Sequence, residues 1–231
     1  MAETETSCFN DASKELRTTF QNAHIAVVGC GGLGCGTLLS LALLGVGKLT
    51  IIDDDRVEAD NLQRQLLYTL DSVGNYKCDV AKAELKARNK TIKITSFKER
   101  LTSKNCEQLL KEATIIIDCT DNYTARLVID SFCKKQHIPM IYTGVKGAEG
   151  HISVFNYKGG KSLADTFAKD QTIFQNEDCN DSRVMPQIVA MASSFQVNEV
   201  VKILQEASNT LQGKLQIFNL SKNVFRVFDL K

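Results

Sequence analysis

The residues Gly29-Cys30-Gly31-Gly32-Leu33-Gly34 interrupt one apolar run, Ile25-Ala26-Val27-Val28, and open into another. Gly29, Gly31 and Gly34 fit the spacing G-x-G-x-x-G, which joins a buried strand to a helix at phosphate-binding turns. Each glycine has its own reason: Gly29 allows a tight turn, Gly31 removes a Cβ that would block a phosphate, and Gly34 lets the helix lie close on the strand. The free N–H groups at the helix start attract anions. Asp53 closes the next apolar run, about 20 residues further on, where a carboxylate meets a ribose hydroxyl. The same three glycines could serve a purely structural strand–helix turn, and Asp53 is what favours a nucleotide.

Further polar groups follow the ends of later apolar runs. Asp53-Asp54-Asp55 leads into Asp60-Asn61-Leu62-Gln63-Arg64-Gln65, Lys77 opens a helix after Gly74, and Asp118-Cys119-Thr120-Asp121-Asn122 ends another run. Taken singly each has an ordinary explanation: Arg64 and Lys77 as solvated charges, Asp53, Asn61 and Asp121 as turn formers or helix caps. In a doubly wound sheet, however, all of them stand at carboxyl ends of strands and converge on one crevice. Two cations and an isolated carboxylate facing a nucleotide suit phosphoryl chemistry, which must neutralise charge spreading over phosphate oxygens. A nicotinamide dehydrogenase would account for the glycine turn and Asp53 alone.

These motifs, in this order, resemble the adenylating enzymes that activate ubiquitin-like proteins, in the form of the sulfur-carrier activators of the ThiF, MoeB and HesA group. The resemblance runs from about residue 20 to 229 and also includes Glu149-Gly150-His151-Ile152-Ser153-Val154-Phe155 and Val184-Met185-Pro186 before a helix. It implies ATP-dependent adenylation of the C-terminal glycine carboxylate of a small β-grasp carrier ending in Gly-Gly, as in thiamin or molybdopterin biosynthesis. By the same resemblance Arg64 and Lys77 grip the phosphates, Asp121 holds Mg²⁺ and Asp53 binds the ribose. Gly29, Gly31, Gly32, Gly34, Asp55, Asp60, Asn61, Gln65 and Asn122 complete the ATP pocket. A homodimer is expected, with an external sulfur donor as a further partner.

Cys179 stands where family members carry a cysteine that attacks the adenylate or exchanges sulfur. Its neighbours Glu177, Asp178 and Asp181 raise a thiol's pKa, while Arg183 and the following helix start act the other way. A covalent role and an inert loop cysteine both stand at this point. Two family features are absent. No C-x-x-C pair occurs, and Ser162 and Asp165 take the place of the first pair, so no zinc site is expected. The Arg-Tyr-x-Arg-Gln element near the start is missing too, leaving only Arg17. An arginine in such a position contributes orders of magnitude to phosphoryl transfer. That absence keeps open a non-catalytic subunit of a heterodimer.

Strand and helix patterns alternate from residue 23 to about 143, with strands near 23–28, 48–53, 91–97, 114–119 and 138–143 and helices near 33–45, 71–88, 103–111 and 123–136. Alternation of this kind predicts a Rossmann-like α/β fold with a doubly wound, mainly parallel sheet. From 144 short alternating runs predict antiparallel strands, then a polar crossover at 158–182, an apolar helix at 184–206, and strands at 214–219 and 224–229. One adenylation domain over 1–231 is expected: an arm and short helix at 1–20, a nucleotide-binding half at 21–143 and a mixed half at 144–231.

With 43% hydrophobic residues the chain can bury a sizeable core. A net charge of +1 speaks against an electrostatic nucleic-acid binder. The acidic, polar start, Met1-Ala2-Glu3-Thr4-Glu5-Thr6, matches neither a signal nor a transit peptide, and no apolar run is long enough to span a bilayer. A cytoplasmic protein with no membrane contact is expected. The eight cysteines, several inside apolar runs as Cys30, Cys119 and Cys133 are, read as reduced, buried small hydrophobes.

Overall fold

A computed structural model of the chain describes residues 14–167 and 184–230. The helix α1 (Lys14–Asn22) leads into β1 (His24–Val28), and then α2 (Gly32–Leu44), β2 (Lys48–Ile52), α3 (Lys77–Arg88), β3 (Lys93–Phe97), α4 (Cys106–Leu110), β4 (Ile115–Asp118), α5 (Tyr123–Gln136) and β5 (Met140–Lys146) alternate as expected. The second half follows with β6 (Glu149–Phe155), α6 (Leu163–Thr166), α7 (Pro186–Leu204), β7 (Lys214–Asn219) and β8 (Val224–Asp229). The strands form one sheet in the order β3-β2-β1-β4-β5-β6-β7-β8. Its first five members pair in parallel and the last three antiparallel.

The local chemistry explains these elements. β1 and β4 are buried along their whole length and read, after His24 in β1 and before Asp118 in β4, as unbroken runs of apolar, mostly β-branched residues, as strands covered on both faces do. Each such aliphatic side chain contributes about 1.5–3 kcal/mol by leaving water. α2 ends at Gly45, whose left-handed φ of +84° closes the helix. α3 buries Cys78, Ala81 and Leu85, a stripe with helical spacing.

The helix expected at 71–88 starts later. Leu70–Ser72 forms a single 3₁₀ turn, Gly74 takes φ +86°, and the α-helix begins only at Lys77. The left-handed glycine breaks the turn, and that break places Lys77 on the first helical position.

One core layer lies between the sheet and α2, α3 and α7, and a second between the sheet and α4, α5 and α6. α2 and α7 pack closely: a Cβ on Gly36 would stand 2.7 Å from Ser193 Oγ, and Thr37 Oγ1 donates to Gln196 Oε1 within that contact. The strand order reverses between β1 and β4, and the crevice at that reversal is where ligands bind in doubly wound sheets. Among the described residues no helix is long and apolar enough to cross a membrane.

Candidate active site

The glycine turn occupies that crevice. Gly29 sits at φ +95° with its N–H donating to the Ile52 carbonyl at 2.8 Å, and a Cβ there would lie 2.5 Å from the Cys119 carbonyl oxygen. Gly34 is equally constrained, because its Cβ would overlap the carbonyl oxygen of Gly29. Gly31 is different: the nearest atom to an added Cβ is Gln65 Nε2 at 4.0 Å, so the space beside it is open to the cleft. No side chain caps α2 at Gly31, which leaves the first N–H groups of the helix without a side-chain partner at a site suited to anions.

The end of β2 supplies the carboxylates. Asp53 accepts from the Cys30 N–H through Oδ2 at 2.6 Å and from the Asp55 N–H through Oδ1 at 2.8 Å. Burial pushes its carboxyl above the usual range, against the pull of those two N–H donors and the Lys77 charge. Lys77 is 5% exposed and its Nζ donates to Asp55 Oδ2 at 2.7 Å. Burial works against its charge, yet the Asp55 bond and the charges of Asp53 and Asp55 outweigh it and raise its pKa, so the cleft keeps a fixed cation.

Between these elements lies a tight segment that begins with the 3₁₀ turn Ala59–Asn61. Arg64 Nη2 donates to Asn61 Oδ1 at 2.9 Å, and Asn61 Nδ2 donates in turn to Glu58 Oε2 at 3.2 Å. Arg64 is thereby held at the cleft by a chain that starts at Glu58. Gln65 is 3% exposed and lines the same cleft, and its Oε1 has no hydrogen-bond partner among the described residues. A buried amide oxygen left unsatisfied beside an open space is the kind of group a ligand completes. Asp60 is exposed and is not among the residues lining the cleft, because the turn directs Asn61 inward in its place.

On the far side, the loop after β4 carries Asp121 and Asn122, both lining the cleft. Asn122 caps α5, its Oδ1 accepting from the Ala125 N–H at 2.8 Å. Asp118 just before the loop is buried against Arg126. Asp121 itself is exposed at the cleft.

The cleft holds about 420 Å³, within the range of small-molecule sites, and opens at the carboxyl ends of β1, β2 and β4. It unites Gly29, Gly31, Gly32, Asp53, Asp55 and Asn61 with Arg64, Gln65, Lys77, Asp121 and Asn122. Gly34 supports the turn from beneath, and Arg17 on α1 is not among the lining residues. Cys179 lies outside the described residues. Among those described, no group of three or more His, Cys, Asp or Glu is arranged to hold a metal by itself. A single carboxylate such as Asp121 is nonetheless the usual protein share of a Mg²⁺ site completed by substrate phosphates.

Sequence reasoning overlooked Glu58, whose i, i+3 spacing to Asn61 and of Asn61 to Arg64 was the available signal. It also overlooked Glu99, Arg100 and Leu101 after β3, and an apolar end made by Val145, Val184 and Val189. The cysteines near the turn, Cys30, Cys35 and Cys119, are buried. Burial pushes Cys30 and Cys119 well up and Cys35 to about 11.

A doubly wound α/β sheet thus gathers a glycine turn, the Asp53 carboxylate and the cations Arg64 and Lys77 in one cleft at its topological switch point, the place where such folds bind ligands. The chain belongs to the ThiF family, whose sequence profile matches residues 5–231. It is 35% identical over 208 residues to a probable molybdopterin-synthase adenylyltransferase of Gracilaria tenuistipitata var. liui, covering 90% of this chain and 58% of that protein. It is 33% identical over 211 residues to the adenylyltransferase and sulfurtransferase MOCS3 of Aedes aegypti, covering 91% of this chain and 48% of the relative. The chain thus spans about half the length of the curated relatives it matches. Among solved structures, PaaA superposes with a TM-score of 0.80 at 27% identity over 93% of this chain and 66% of its own. E. coli MccB with ATP superposes at 0.82 with 21% identity, over 93% and 66%, a likeness of fold.

Proposed function

We propose that this chain catalyses ATP-dependent adenylation of the C-terminal glycine carboxylate of a small ubiquitin-like sulfur-carrier protein. The observation that carries the reading is that Arg64, Lys77 and Asp121 line the same cleft as the glycine turn and Asp53. A dinucleotide would use the turn and Asp53 but leave two cations and a carboxylate without a task.

The roles follow from chemistry. A carrier carboxylate oxygen attacks the α-phosphorus of ATP, the bond to the β-phosphate oxygen breaks, and pyrophosphate leaves. Negative charge grows on the leaving group, so Arg64 and Lys77 stabilise it best when fixed in advance, as their bonds to Asn61 and Asp55 arrange. Asp53 is suited to the ribose hydroxyls, and Gly31, Gly32 and Gln65 to the phosphates beside the α2 start. Asp121 would hold Mg²⁺, which supplies further charge neutralisation when bound. The carrier we favour is of the molybdopterin type, in keeping with the names of the relatives, and we propose a homodimer, to be checked by light scattering.

Pyrophosphate exchange into ATP tests the reading. Exchange is expected only with a carrier whose C-terminal Gly-Gly is free, and with a molybdopterin-type carrier ahead of a thiamin-type one. Asp121→Ala should abolish it and Arg64→Ala should lower it about 10²-fold. Micromolar NAD binding by calorimetry, with no binding of ATP and Mg²⁺, would overturn the reading.

A further inference from the structure

Strands β4, β5 and β6 carry a row of polar side chains on the face toward α5. Asp118 and Tyr142 are register partners across β4 and β5. His151 on β6 stands opposite Gly144, which has no side chain, so the imidazole reaches diagonally to Tyr142. The two ring centres are 5.3 Å apart and His151 Nε2 is 2.6 Å from the Tyr142 hydroxyl. Arg126, 1% exposed, closes the row from α5. Its Nε is 3.3 Å from Asp118 Oδ2, its Nη1 donates to the Tyr142 hydroxyl at 3.3 Å, and its guanidinium lies 4.9 Å from the Tyr142 ring centre.

The row ends on the loop of the cleft. Arg126 Nη2 donates to the Thr120 carbonyl at 3.1 Å, while Asp118 Oδ1 accepts from the Thr120 N–H at 2.9 Å. A buried ion pair therefore holds Thr120 by both of its backbone groups, and Asp121 is the next residue. Neither Tyr142 nor His151 lines the cleft, so neither can act on a nucleotide directly.

We propose that Tyr142 and His151 are positioning residues which, through Arg126, fix the loop at 120–122 and with it the Asp121 carboxylate. This rests on the adenylation reading only where it concerns Mg²⁺ and ATP. A guanidinium donates and never accepts, so the Tyr142 hydroxyl accepts from Arg126, and it shares a second hydrogen bond with His151 Nε2 whose direction follows the imidazole tautomer. Those two bonds fix the hydroxyl between His151 and Arg126, whose Nη2 holds the Thr120 carbonyl. Members of a buried polar network hold one another in place, and removing one loosens the rest.

Amide hydrogen exchange of the full chain, read residue by residue, tests this without any substrate. In Tyr142→Phe and His151→Leu the Thr120 amide should exchange about fivefold faster, the effect of one lost hydrogen bond, with the Val27 and Val28 amides of β1 unchanged. His151→Gln, whose amide can accept from or donate to the hydroxyl, should restore the wild-type rate. In pyrophosphate exchange the same two variants should raise the half-saturating Mg²⁺ concentration more than they lower the maximal rate. An unchanged Thr120 rate in both variants, or equal acceleration in β1, overturns the proposal. Faster Thr120 exchange in a protein whose wild type lacks pyrophosphate exchange would uphold the clamp and sink the adenylation reading.

Discussion

Lys77 is tied to Asp55 twice, by a side-chain bond from Nζ to Oδ2 at 2.7 Å and by its own backbone N–H to the Asp55 carbonyl at 3.0 Å. The pair links the end of β2 to the first residue of α3 and holds a buried ammonium at the cleft. Asp55 is largely exposed, so the pair adds little to stability and much to placement. Lys77→Ala should lower pyrophosphate exchange about 10²-fold. Asp55→Asn, which keeps a neutral acceptor, should cost about tenfold, with urea midpoints near wild type. Equal losses in the two variants would show that Asp55 acts on the substrate itself.

Two glycines three residues apart should fail in opposite ways. Gly34→Ala drives a methyl into the Gly29 carbonyl and should cost about 3 kcal/mol or more. Gly31→Ala meets only Gln65 Nε2 at 4.0 Å, so its stability should stay within about 0.5 kcal/mol of wild type while ATP affinity falls. Thermal melts with and without ATP and Mg²⁺ separate the two.

His24 should make stability fall on the acid side. Burial lowers its pKa below 6.5, with its Nε2 2.9 Å from Thr50 Oγ1. The unfolded chain therefore binds a proton where the folded one does not, and stability is lost as pH falls from about 6.5 until the folded histidine also titrates. Urea midpoints should decline between about pH 7 and pH 5, and His24→Gln should flatten that part of the profile.

Cys179 falls outside the described residues, and its neighbours in sequence are acidic. Cys179→Ala should leave pyrophosphate exchange intact, since adenylation uses only the phosphate groups. Intact-mass measurement should find no thiol-labile carrier adduct in either protein, because Glu177, Asp178 and Asp181 favour the thiol over the thiolate. An adduct in the wild type alone would make Cys179 a nucleophile.

What the sequence by itself determined is local. Buried parallel strands read as continuous apolar runs, a turn without Cβ atoms reads as G-x-G-x-x-G, and the alternation of strand and helix patterns places ligands at carboxyl ends of strands. That was enough for the α/β class, the switch to antiparallel strands after 144 and the cleft that unites Arg64, Lys77 and Asp121. Only the tertiary structure decided which of several adjacent polar residues face inward. Asp60 and Asn61 are neighbours with similar propensities, and a single 3₁₀ turn sends one to solvent and the other to Arg64. Arg126 looks like any surface arginine of a helix, yet it is buried because Asp118 ends β4 one strand away from Tyr142. Such pairings depend on strand order and register, which bring together residues far apart in the chain, and no local pattern encodes them.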